Sequence, residues 1–257
     1  MQNQLKVNIG KILFDNLTMS EVIQKTDYYL KHFDSSNDKS KFIVVANQDS
    51  VTKIGKQLDA TAINNSFITI PDGASIILAS KILKTPLKER VAGPDFMIKM
   101  MELSNNNGYK QFFLGSTPEV IDAMKKKLLE KYPNLNIVDS YSPPFVKSFN
   151  DIENYKMLDV INNSNCDCLW VSFGCPKQEN WIIKNIDRLK IPLAIGIGAA
   201  FDFHSGKTKR APLFMQKIGM EWFFRLFQEP KRLWKRYLIG GVSFLTIILK
   251  QKFRKDG

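Results

Sequence analysis

CLWVSFGCPKQENW, residues 168–181, is the stretch that decides the fold. Its first six residues, 168–173, show no regular alternation of polar and apolar positions, which is the pattern of a strand covered on both faces. Gly174 breaks the run. Pro176 then stands where a helix opens, because proline lacks the N–H that a first helical turn leaves unpaired anyway. Strand, glycine turn and helix in that order make half of a β-α-β unit.

Working outward, the same grammar recurs. Short apolar runs, often β-branched, fall at residues 42–46, 67–70, 111–114, 135–139 and 192–197, with segments of helical period among them. The alternation predicts an α/β fold, a Rossmann-like, mostly parallel sheet flanked by helices. Ahead of it, residues 5–14 predict a small hairpin turning near Gly10, and Ser20 is placed to cap a helix over 21–33. After the run 111–114 come Gly115, Ser116, Thr117, Pro118 and Glu119, in which Ser116 as cap and Glu119 three residues on predict a capping box.

Charge is unevenly spread. Residues 203–257 hold 13 Lys/Arg against 3 Asp/Glu, while residues 1–202 hold 24 against 22, so nearly all of the formal +12 lies in the tail. The tail also carries Trp222, Phe223, Phe224, Phe227 and Trp234. This predicts a catalytic domain over 1–202 and a basic helical appendage over 203–257, with helices over 219–228 and 231–252 separated by Pro230. Residues 237–249 are uncharged but too short for a span of about 20 residues. Flanked by cations, they suit the interface of an anionic membrane. The alternative is a core helix packed on the body with a solvated basic face. The three cysteines, Cys166, Cys168 and Cys175, lack ligand-spaced histidines, which argues against zinc and against a disulfide framework and fits a reducing cytoplasm. Residues 1–10 show no export signal.

Several positions go beyond what folding needs. In parallel sheets the ligand crevice lies beyond the carboxyl ends of the strands, where helix N-termini offer N–H groups to anions. Asp72, in PDG at residues 71–73, directly follows a strand and serves there either as a helix cap or as a functional carboxylate. Arg90, in ERVAGPD at 89–95, either grips a phosphate or pairs on the surface near Glu89. Gly196 and Gly198 close the last strand with small residues that let a ligand approach the backbone. The segment FDFHSGKTKRAP, 201–212, gathers acid, glycine turn and cations. No Asp-x-Asp motif occurs, so the usual carboxylate clamp for a divalent metal is missing; neither metal nor other cofactor is expected.

Taken in order, PDG, ERVAGPD, FLGS at 113–116, FGCPKQENW at 173–181, GIGAAFDFHSGKTKRAP at 196–212 and GMEWFFRLFQEPKRLWKR at 219–236 resemble the WecG/TagA/CpsF family of bacterial glycosyltransferases. The resemblance implies transfer of an N-acetylmannosamine-type sugar from a UDP donor to a GlcNAc-diphosphate-undecaprenyl lipid on the inner face of the cell membrane. The product would enter teichoic acid, capsule or exopolysaccharide synthesis. It implies Asp72 as general base on the acceptor hydroxyl, with inversion at the donor's anomeric carbon. It also implies Asn47 and Gln178 in the donor crevice, Asp202 near uracil and ribose, and Arg90 on phosphate. Arg225, Arg232 and the Lys235/Arg236 pair would meet the lipid diphosphate. Two positions depart from the family pattern: Val45 stands where threonine is common, and Lys235 where arginine is frequent. Lysine cannot make arginine's planar two-toothed grip.

Two other readings explain less. A nucleic-acid binder would use the basic aromatic tail but leave Asp72, Gln178 and Asp202 without a role. A nicotinamide-dependent dehydrogenase would need G-x-G-x-x-G after the first core strand, where Val45-Ala46-Asn47-Gln48 stands instead. No nucleic-acid partner is expected.

Overall fold

The computed structural model describes residues 6–255, apart from the side chains of Lys217, Arg232 and Lys255. Strands β1 (Lys6–Ile9) and β2 (Ile12–Asp15) pair antiparallel around a turn at Gly10 and Lys11, both with positive φ. Leu5, the expected first residue of this hairpin, lies outside the described residues, as do residues 1–4 of the segment read for an export signal.

The main sheet has six strands: β3 (Lys41–Ala46), β4 (Ile68–Pro71), β5 (Gln111–Gly115), β6 (Ile137–Tyr141), β7 (Cys168–Ser172) and β8 (Leu193–Gly196). Their spatial order is β4-β3-β8-β7-β5-β6, and every pair is parallel. Side chains alternate between two cores, as the period of a strand requires. Val44, Ala46, Leu114 and Val171 face Val51, Met157 and Trp181 on one side. Ile43, Val45, Phe113 and Trp170 face Phe96, Met124 and Phe201 on the other. β4, β5 and β8 are buried along their whole length, and β7 all but its last residue, which is why their sequences show no polar alternation.

Helix placement opens the crevice. The chain leaves β3 and β7 onto the face of Val51 and Trp181, whereas it leaves β8, which lies between them, onto the face of Phe201. Neighbouring strands therefore send their chains apart at their carboxyl ends, and a cleft forms there.

Three local expectations are corrected. Thr18, not Ser20, caps the first helix, Met19–Lys31, in a full capping box with Glu21, because the box needs its cap three residues before the acid and Ser20 falls inside the first turn. Ser116 does not cap Pro118–Lys131; its φ of 58° lies in the left-handed region, while a cap takes extended backbone, so Thr117 holds the cap position without a side-chain bond. The edge strand β6 starts two residues later than expected, and its half-exposed side chains explain why apolar content marked it poorly.

The tail is helical: Leu213–Lys217, Glu221–Gln228, Pro230–Trp234, a π-helical turn Lys235–Ile239, and Gly240–Lys255. Pro230 opens a short helix at its first position instead of merely separating two, and the expected single helix over 231–252 is interrupted by the π turn. The last helix docks by burying Phe244 and Ile248 on the face of Val51. Its Gln251 clasps the hairpin, Oε1 accepting from Gly10 N at 2.8 Å and Nε2 donating to Asn8 O at 2.8 Å. Val242, Leu245, Leu249 and Phe253 remain exposed along the same helix. Among the described residues no helix is long and apolar enough to cross a membrane.

Candidate active site

The parallel register sets Ala46 beside Pro71 and places Gly196 next to both Val44 and Val171, so the exits of β3, β4, β7 and β8 share one edge. Asp72 stands at this edge. Its N–H donates to Ala46 O at 2.9 Å, and its carboxylate does not cap the next helix, Ala74–Ile82, which starts from Gly73. Instead Asp72 Oδ1 accepts from the N–H of Gly93 at 2.8 Å, at the start of Gly93–Asn107. Oδ2 has no hydrogen-bond partner among the described residues, on a side chain that is only half-buried.

Gly93 is a position of close approach. A β-carbon there would sit 3.0 Å from Val45 Cγ1, 3.5 Å from Ile197 Cδ1 and 3.7 Å from Asp72 Oδ1. Val45, one of the two departures from the family pattern, thus packs directly beneath the Asp72–Gly93 contact.

Asn47 caps the helix Gln48–Lys53, its side chain accepting from Asp49 N at 2.9 Å. It also receives Arg236 Nη2 at 3.4 Å, while Arg236 Nε lies 3.4 Å from Asp49 Oδ2. Lys53 holds the same Asp49 oxygen at 2.8 Å and the carbonyl of Cys175 at 2.8 Å. Arg236 therefore reaches the crevice from the π turn, whereas Lys235 is exposed and lies over the ring of Trp234.

Gln178, 2% exposed, joins the exits of β7 and β8. Its Oε1 accepts from Gly174 N at 3.1 Å and from Gly198 N at 3.0 Å, and its Nε2 donates to Glu179 Oε1 at 2.9 Å. Gly198 has φ of 58°, a conformation that favours glycine, and its carbonyl accepts from Ser172 Oγ at 2.7 Å. Burial pushes the pKa of the Glu179 carboxyl up, and its Oε2 is buried without a hydrogen-bond partner among the described residues. A neutral acid is the form such a site favours. Cys175, also pushed up by burial, is a thiol rather than a nucleophilic thiolate.

Asp202, in helix Ala200–Ser205, faces Lys207 at 3.5 Å. That helix spans the expected division between residues 202 and 203. Arg90 donates from Nε to the carbonyl of Asp72 at 2.8 Å and from Nη2 to Glu221 at 2.7 Å, so its acidic partner comes from the tail and not from the surroundings of Glu89. Arg225 packs over Phe203, with its Nε buried and without a hydrogen-bond partner among the described residues. The side chain of Arg232 lies outside those described.

Six of the nine expected site residues, Asn47, Asp72, Arg90, Gln178, Gly198 and Arg236, therefore converge on the carboxyl edge of the sheet. Asp49, Gly93, Glu179, Arg210 and Glu221 join them and were missed. Glu221 had a signal: it is one of only three acids in a tail with 13 basic residues. Arg210 grips Asp95 with Nη1 and with Nη2, the latter at 2.8 Å, and its Nε lies 3.4 Å from Glu221 Oε1. Burial raises the pKa of Asp95, but the hydrogen bonds and charge of Arg210 outweigh it and hold the carboxyl below its ordinary range. Among the described residues no group of three or more His, Cys, Asp or Glu could hold a metal ion.

The arrangement offers a half-buried carboxylate with one oxygen unpartnered among the described residues, a bank of arginines and two glycine-lined strand exits. Such a set suits proton abstraction next to a departing anion. A family model described as "Glycosyl transferase WecG/TagA/CpsF family" matches residues 7–257. An N-acetylglucosaminyldiphosphoundecaprenol N-acetyl-beta-D-mannosaminyltransferase of Staphylococcus aureus (strain MW2) is 28% identical over 254 residues, 98% of this chain and 96% of its own length. The protein of the same name from strain NCTC 8325 / PS 47 is equally similar over the same span. With the match running through every segment that builds the crevice, the chain belongs to the WecG/TagA/CpsF family of glycosyltransferases.

Proposed function

We propose that this glycosyltransferase moves an N-acetylmannosamine-type sugar from a UDP donor to a GlcNAc-diphosphate-undecaprenyl acceptor, at an early step of wall-polymer synthesis such as that of teichoic acid. The observation that carries the reading is the Asp72 carboxylate: one oxygen is fixed by Gly93 N–H, and the other has no hydrogen-bond partner among the described residues. In the reaction that second oxygen takes the proton of the attacking acceptor hydroxyl, and the sugar inverts. Asn47, Gln178, Gly198 and Asp202 shape the donor pocket. Arg90, Arg225, Arg232 and Arg236 supply positive charge to the diphosphates. Support comes from the buried Nε atoms of Arg225 and Arg236, donors without a hydrogen bond among the described residues that a phosphate oxygen would satisfy.

Residues 203–257 act as an appendage that completes the crevice and holds the protein peripherally on an anionic membrane. The exposed row Leu238, Val242, Leu245, Leu249 and Phe253 recurs every three or four residues and supports this reading, as does the row's opposition to the docked Phe244 and Ile248. The docked helix and the membrane-facing helix are thus two faces of one element.

The test is Asp72→Asn with UDP-N-acetylmannosamine and a synthetic GlcNAc-diphosphate lipid, followed by UDP release and by UDP affinity. The expected result is a loss of turnover of about a hundredfold or more with UDP binding unchanged. Turnover near that of the unaltered protein would remove Asp72 from the mechanism.

A further inference from the structure

The tail places one acid between two arginines at the back of the catalytic loop. Glu221 is the first residue of Glu221–Gln228, and its side chain is 12% exposed. Oε2 meets Arg90 Nη2 at 2.7 Å, and Oε1 faces Arg210 Nε at 3.4 Å. Each arginine continues to a different handle on Asp72. Arg90 Nε holds the Asp72 carbonyl at 2.8 Å, and its Nη1 donates to Gln216 O at 3.4 Å, a second point on the tail. Arg210 grips Asp95, two residues into the helix whose leading N–H, from Gly93, holds the Asp72 carboxylate. Asp72, Arg90, Glu221, Arg210, Asp95 and Gly93 thus form a closed ring through which the appendage reaches both the backbone and the side chain of Asp72.

We infer that Glu221 is a positioning residue, a latch that aligns Asp72 only when the appendage is docked. The electrostatics require an acid there. Two guanidiniums, each about a quarter exposed, converge on one carboxylate, and without it the repulsion between Arg90 and Arg210 would lose the charge that bridges them. Arg90 would then leave the Asp72 carbonyl for whatever anion lay nearest. Glutamine at 221 keeps the shape but can donate or accept only as a neutral amide, so it would fail to hold two cations. Aspartate keeps the charge.

This inference rests on the reading of Asp72 as the base, and the experiment separates the two. In the full-length protein, Glu221→Gln should lower kcat by about tenfold or more while the donor KM and UDP affinity stay within about twofold, as expected when a reacting group is misaligned and substrate binding is spared. Glu221→Asp should recover much of the loss. Arg210→Gln, which breaks the other arm, should reproduce the kcat defect and stands in if Glu221→Gln does not fold. Hydrogen exchange, which needs no substrate, should accelerate in Glu221→Gln both at residues 72–77 and at residues 221–229. Unchanged kcat, equal losses in kcat and UDP affinity, or exchange that rises in the tail alone would each overturn the latch. Should the unaltered protein transfer no sugar while exchange still rises at both segments, the latch stands and the assignment of Asp72 as base falls.

Discussion

His204 separates what a residue's type suggests from what its surroundings make of it. In a segment dense with polar groups it looks like an acid–base candidate, yet its ring is largely buried, with Nε2 3.1 Å from the carbonyl of Pro94, and burial pushes its pKa down from 6.5 to about 4. The folded protein therefore keeps the ring neutral while the unfolded chain takes up a proton near pH 6.5. Its contribution is fully present above that pH and is lost as pH falls toward 4, by no more than about 3 kcal/mol. Denaturant unfolding between pH 7 and 4 should show this decline, and His204→Gln should flatten it. Asp72 is the opposite case. As a residue in a strand-to-helix turn it reads equally well as a cap or as a functional carboxylate, and only the family resemblance implied the role of base. Its hydrogen bond to Gly93, 21 positions away, excludes a cap on the helix that directly follows. Gln178 was legible as a crevice residue but not as the strut between Gly174 and Gly198, because that role depends on where two other strand exits come to lie.

Among the elements, the strands were the most legible and the tail helices the least. Buried parallel strands need continuous apolar runs, so β3, β5, β7 and β8 announce themselves; β6, at the edge and half-exposed, drifts by two residues. The helix caps were misjudged where a turn put Ser116 at positive φ, which local spacing does not report. The π turn at Lys235–Ile239 carries the larger consequence. By adding a residue to one turn it changes which side chains face the body, so that Arg236 enters the crevice and Lys235 points outward. Arg236→Ala is therefore expected to cost about tenfold or more in kcat/KM for the lipid acceptor, the scale of one lost charged contact of 1.5–3 kcal/mol, and Lys235→Ala about twofold or less. Steady-state kinetics with the synthetic acceptor checks the asymmetry, and equal effects would refute the assignment.

At the scale of the whole molecule, the body is nearly neutral and the tail carries almost all the excess charge. Each basic residue close to an anionic leaflet contributes about 1 kcal/mol, so a reversible electrostatic hold combined with shallow apolar insertion is expected. Binding to vesicles containing anionic lipid should weaken steeply with added salt. Replacing Leu249 and Phe253 with serine should lower vesicle binding further while leaving thermal stability and UDP affinity unchanged, since both side chains are exposed. Co-sedimentation with neutral and anionic vesicles reads this directly, and undiminished binding would contradict the assigned face. Two ionic contacts, Glu221 with Arg90 and Asp49 with Arg236, draw this charged tail onto the crevice across more than a hundred residues of chain. By itself the sequence determined the parallel α/β body, the segments of the crevice and the charge of the tail, because hydrophobic period, turn chemistry and net charge act over a few neighbouring residues. Which acid meets which arginine, which face of the last helix docks and what holds the Asp72 carboxylate were decided only by the tertiary structure, since each depends on groups far apart in sequence that meet only after the sheet has closed its register.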